Sequence, residues 1–128
     1  MLDVMPGYHV ITPDEATFTP TTSGDPTREI MRLSELLQST RANAWRLPAG
    51  TNVRRHLEKV QEEIFVVLEG TATIRLGEPA EAIELPRGSI AIVQPGTPIQ
   101  LRNDGDAEIV VLVVGAPPVE GQAEYLPE

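Results

Sequence analysis

Apolar residues fall in short blocks along most of the chain, and Gly, Pro or Asn-Asp-Gly separates one block from the next. Blocks of four to eight residues suit strands better than helices. Thr71-Ala72-Thr73-Ile74-Arg75-Leu76 alternates apolar and polar positions, the period of a half-buried strand. Ile64-Phe65-Val66-Val67-Leu68 is apolar throughout, which predicts a strand buried on both faces. Glu69-Gly70 turns the chain between these two segments. Arg41 to Leu47 predicts a strand that ends at Pro48-Ala49-Gly50, and Val53 to Glu58 alternates loosely. Ala82 to Leu85, Ile90 to Val93, Ile99 to Arg102 and Ile109 to Val114 predict four more. Tyr8-His9-Val10-Ile11 is a further strand candidate, and Ser34 to Ser39 is the one helical candidate. Short strands at this spacing predict an all-β sandwich or barrel.

The same punctuation divides the chain into three parts. Residues 1–27 read as an N-terminal arm with Pro6, Pro13, Pro20 and Pro26, expected to pack on the barrel or on a partner subunit. Residues 28–116 hold the predicted strands and form the barrel. Residues 117–128 are rich in Pro and Gly and read as an irregular tail.

Composition narrows the function classes. The 128 residues are the size of one domain. The absence of cysteine excludes a disulfide framework, a Cys-ligated metal and a cysteine nucleophile. A net charge of −9 is the wrong sign for nucleic acid or an anionic membrane. No apolar run approaches the roughly 20 residues a membrane helix needs, and no basic segment precedes an apolar one at the N-terminus. The expected compartment is therefore the cytoplasm. Every Lys and Arg lies between Arg28 and Arg102, so both ends carry acids only.

Two clusters of residues resemble the sequence motifs of the cupin superfamily. In the first motif a glycine precedes a His-x-His pair, a glutamate and a second glycine. Gly50, His56, Glu63 and Gly70 stand at those positions, and Glu58 stands where the second histidine belongs. In the second motif Gly88, Gly96 and Asn103 match, Gln94 replaces a proline, and Ile99 replaces the histidine. The resemblance covers roughly residues 44–116 and implies a double-stranded β-helix, the jelly-roll barrel of the cupins. The glycines suit tight turns that need positive φ.

The resemblance also implies a metal. In the family, two histidines and a glutamate of the first motif join the histidine of the second to hold one divalent ion. Residues i and i+2 of a strand share a face, so His56 and Glu58 can both face the lumen, and Glu63 can point there from the next strand. Ile99 cannot ligate. One imidazole and two carboxylates form an oxygen-rich set that leans towards Mn, Fe or Mg over Cu. Without an ion the two carboxylates repel, and one should show a raised pKa or find a cation, for which Arg54 is the nearest candidate.

Phe65 and Val67 are expected to face inward with Glu63, and Arg54, Phe65 and Ile99 to line a substrate pocket. Ile64, Val66 and Leu68 then face outward and need cover, which argues for a homodimer. Three functions follow. The first is a metal-assisted oxygenase, isomerase, lyase or decarboxylase with His56, Glu58 and Glu63 as site residues. The second is a metal-free cupin that binds a small ligand or uses Glu58, Glu63 and His56 as acids and bases. The third is a non-catalytic sensor or assembly module.

Overall fold

The computed structural model of the chain describes residues 7–128. Each short apolar block becomes one strand, and the strands are β1 (Thr19–Pro20), β2 (Glu29–Met31), β3 (Arg41–Leu47), β4 (His56–Glu58), β5 (Glu62–Glu69), β6 (Thr71–Leu76), β7 (Glu81–Pro86), β8 (Ile90–Val93), β9 (Ile99–Arg102), β10 (Ile109–Ala116) and β11 (Ala123–Tyr125). One sheet has the order β1-β2-β3-β10-β5-β8, the other β11-β4-β9-β6-β7. All strand pairs are antiparallel. From β3 onward the chain passes back and forth between the sheets, and only the β6–β7 hairpin stays in one. This winding is the double-stranded β-helix, and the fold is all-β. No helix among the described residues is long and apolar enough to cross a membrane.

The inner faces of the two sheets make the core. Phe65 and Val67 of β5 meet Ala72 and Ile74 of β6, Ile99 and Leu101 of β9, and Ile109 and Val111 of β10. Alternation sends the neighbouring side chains outward. Ile64 and Leu68 are 41% and 45% exposed, so among the described residues β5 is buried on one face only. The continuous apolar run therefore has a second face that the described residues leave partly exposed.

Turns close the strands where their chemistry demands it. Gly70 has φ 76°, and a Cβ there would lie 2.7 Å from the Glu108 carbonyl oxygen, so backbone conformation and close approach both require glycine. Asn103 is fully buried. Its Nδ2 donates to the carbonyls of Leu47 and Ala107 at 2.9 and 2.8 Å, and its Oδ1 accepts from the Gly105 amide at 3.1 Å. The motif asparagine thus fastens the β9–β10 turn to β3.

Three sequence expectations are corrected. Tyr8 to Ile11 is not a strand: Tyr8 is 75% and Val10 72% exposed, and no sheet edge accepts the segment's backbone groups. The helical candidate is a short 3₁₀ turn at Leu33–Leu36. The tail is irregular except at Ala123–Tyr125, which add β11 to the edge of β4. Residues 1–6 of the expected arm lie outside the described residues.

Candidate functional site

The site is built on β4 and β5. β4 is three residues long, and its alternation puts His56 and Glu58 on one face. Ile99 of β9 pairs with His56 on one side, and Tyr125 of β11 pairs with it on the other. Glu63 is the second residue of β5, in register with Gly115 of β10 and Val93 of β8. These turns bring His56, Glu58 and Glu63 together. One ligand-type atom from each lies within 4.8 Å of the other two.

The hydrogen bonds define what each side chain offers. His56 Nδ1 lies 2.8 Å from the Arg54 carbonyl oxygen. That oxygen can only accept, so Nδ1 carries the proton. Nε2 is left facing Glu58 Oε1 at 3.2 Å. In the charged ring Nε2 donates to that carboxylate; in the neutral ring it presents a lone pair. Glu58 Oε2 accepts from the side-chain amide of Gln122. The Gln122 Oε1 in turn accepts from the backbone amides of Val60 and Gln61 at 2.9 and 3.1 Å. Gln122 is 3% exposed, so the tail fixes one oxygen of Glu58 and leaves the other towards His56.

Glu63 is the outlier. It is 8% exposed, and its Oε1 is buried with no hydrogen-bond partner among the described residues. Burial, followed by the charge of Glu58, pushes its pKa up to about 7, against the opposing pull of His56 and Arg41. Burial alone would lower the pKa of His56. The hydrogen bonds to Glu58 and to the Arg54 carbonyl, with the charges of Glu58 and Glu63, outweigh it and hold the ring above its ordinary value. A divalent cation fits this arrangement: it would supply the missing partner of Glu63 Oε1, take the Nε2 lone pair, and relieve the repulsion between the carboxylates.

The cluster lies on the wall of a cavity of about 520 Å³, within the usual range for small-molecule sites. Arg54, Phe65 and Ile99 line the same cavity. Ile99 is 2% exposed and puts hydrocarbon where the second motif has its histidine. Arg54 does not pair with the carboxylates. Its guanidinium lies over the Tyr125 ring at 4.2 Å, and the positive charges that act on Glu63 are His56 and, more weakly, Arg41 of β3. Trp45 also reaches the cavity, whereas His9 is exposed. Arg46 pairs with Glu29 at 3.0 Å, and Arg75 with Gln100 at 3.3 Å.

Sequence reasoning missed Arg41, Asn43, Gln61 and Gln122. Arg41 and Asn43 carried a signal, since they precede Trp45 at intervals of two on β3 and so share its face. Gln122 carried none, because its place depends on the pairing of β11 with β4.

A family model described as the cupin domain matches residues 43–115, and the chain belongs to the cupins. An uncharacterized protein of Methanocaldococcus jannaschii is 29% identical over 72 residues, 56% of each chain, so the match spans about half the length of that curated relative. Three solved structures share the fold. A conserved protein with a double-stranded β-helix domain from Klebsiella pneumoniae matches with TM-score 0.73 at 20% identity, over 94% of this chain and 99% of that one. A cupin-superfamily sugar phosphate isomerase from Silicibacter pomeroyi matches at 0.79 and 22%, over 94% and 83%. The polyketide cyclase RemF from Streptomyces resistomycificus matches at 0.80 and 14%, over 94% and 87%. The two enzymes named differ in chemistry, so the shared fold does not select a reaction.

Proposed function

We propose that this cupin holds one divalent metal ion on His56, Glu58 and Glu63 and binds or converts a small organic molecule beside it. The observation that carries the reading is the buried, unpartnered Oε1 of Glu63, within reach of an imidazole nitrogen and a second carboxylate. Mn, Fe or Mg suits the set. When bound, such an ion supplies Lewis-acid polarisation of a substrate oxygen. The chain's own part is orientation. The Arg54 carbonyl fixes the tautomer of His56, Gln122 fixes the rotamer of Glu58, and Phe65 and Ile99 give the pocket an apolar wall.

Ile99 supports a second reading, a metal-free cupin that binds a small ligand. In that reading Glu63, with a pKa of about 7, exchanges protons near neutral pH beside His56. Elemental analysis separates the two. Protein reconstituted with Mn²⁺ or Fe²⁺ and desalted should retain about one ion per chain, and Glu63→Ala should retain none. Wild type that stays metal-free after reconstitution contradicts the first reading and leaves the second.

We also infer a homodimer formed through the outer face of β5, β8 and β10. Ile64 pairs with Ile92 and Val66 with Ile90 across the β5–β8 edge, and Ile90 and Ile92 are 63% and 68% exposed. Exposed apolar residues in register are the usual mark of a contact surface.

A further inference from the structure

The cavity carries a set of polar groups that the His56, Glu58 and Glu63 cluster does not use. Four arginines line it, Arg28, Arg32, Arg41 and Arg54, against the two carboxylates of Glu58 and Glu63. This reverses the balance of a chain with ten Lys+Arg, nineteen Asp+Glu and a net charge of −9. Arg28 is occupied by the carbonyls of Ser23, Asp25 and Asn52. Arg32, Arg41 and Arg54 form no ion pair among the described residues, whereas Arg46, Arg55 and Arg102 each do. Unpaired cations at the cavity of an acidic protein need a reason, because the surrounding field otherwise repels anions.

Two amides point to the same ligand. Among the described residues, Gln61 is 2% exposed and its Nε2 has no partner, and Asn43 Oδ1 is likewise buried and unpartnered. Both residues line the cavity. An unmet buried amide is costly, and a ligand that satisfies it recovers the cost. The sheet register brings these groups side by side. Arg41 pairs with Gly115, and Gly115 pairs with Glu63, so only a glycine separates Arg41 from the carboxylate. A Cβ at Gly115 would lie 2.8 Å from Gln61 Oε1, so the glycine is what lets Gln61 occupy the wall.

We propose that the cavity takes a small organic anion, bearing a carboxylate or a phosphate, whose charged group lies against Arg41 while its remaining polar groups meet Asn43 Oδ1 and Gln61 Nε2. The inference rests on the reading of the barrel as a small-molecule site and adds the class of molecule. A guanidinium matches either anion with paired hydrogen bonds. Of the three unpaired arginines Arg41 is half-buried while Arg32 and Arg54 are exposed, so the charged end belongs on Arg41. Asn43 Oδ1 requires a donor and Gln61 Nε2 an acceptor, which a molecule with hydroxyl and carbonyl groups provides.

Isothermal titration calorimetry on the full chain, stripped of metal with EDTA and held at constant ionic strength with NaCl, tests this. The probes are inorganic phosphate, succinate and neutral glucose. At least one of the two anions should bind and glucose should not, and whichever anion binds more tightly identifies the charged group. Arg41→Gln should weaken that binding at least about tenfold, and Asn43→Ala should weaken it by a smaller factor. Arg87→Gln, an exposed arginine between β7 and β8 and away from the cavity wall, should leave it unchanged. Absence of binding by both anions overturns the proposal, as does equal binding by wild type and an Arg41→Gln protein whose circular dichroism shows it folded. Manganese uptake on the same samples keeps the two readings apart. Anion binding without manganese uptake removes the metal and leaves this inference standing, and the reverse removes this inference alone.

Discussion

Glu63 joins the chemistry of the site to the stability of the chain. Its carboxyl titrates near 4.5 when unfolded and near 7 when folded. The folded state therefore binds the extra proton, and the stabilisation is complete below about pH 4.5 and lost as pH rises through 7. The shift corresponds to a loss of up to about 3 kcal/mol. His56 is also raised, so its contribution has the same sign. Asp14, Glu15 and Asp25 are lowered and act in the opposite sense at lower pH, but they cancel between wild type and a Glu63 variant. In EDTA, urea unfolding from pH 4.5 to 8 should show wild type losing stability relative to Glu63→Gln, with the variant the more stable at pH 8. Parallel curves would mean that Glu63 keeps its ordinary pKa. At this scale the sequence was informative where spacing determines direction. His56 and Glu58 share a face because they are two apart, and the repulsion between the carboxylates of Glu58 and Glu63 was foreseeable. The influence of Arg41 on Glu63 was not, because β10 lies between their strands and the register alone brings them near.

Strands with an unambiguous period could be read to the residue. β6 has the bounds its alternation predicts, and β3, β8 and β9 have the bounds their flanking turn residues predict. β11 could not, because Ala123 to Tyr125 has no pattern of its own and becomes a strand by pairing with β4. β5 was half legible. Its apolar run correctly signals a strand with two apolar faces, but the described residues cover only the inner one. The outer face should be covered by a second copy. Analytical ultracentrifugation should therefore give a dimer for wild type and a monomer for Ile92→Asp, a change at an exposed position that leaves the core intact. A monomeric wild type at micromolar concentration would contradict the dimer.

For the whole molecule, the two motifs mark turns and tie-points as much as chemistry. Gly70 and Asn103 hold the roll closed, and the roll then places donors from β4 and β5 on one wall. The tail completes the site from the far end of the chain, since Gln122 orients Glu58. What the sequence left open is the chemistry, because Glu58 and Ile99 stand where the family's histidines belong. Anomalous diffraction from a manganese-reconstituted crystal, recorded at the manganese edge, tests the central claim most directly. A single peak bonded to His56 Nε2 and to carboxylate oxygens of Glu58 and Glu63 is the predicted result. An empty cavity with those three side chains placed as described, or a peak elsewhere, would contradict it.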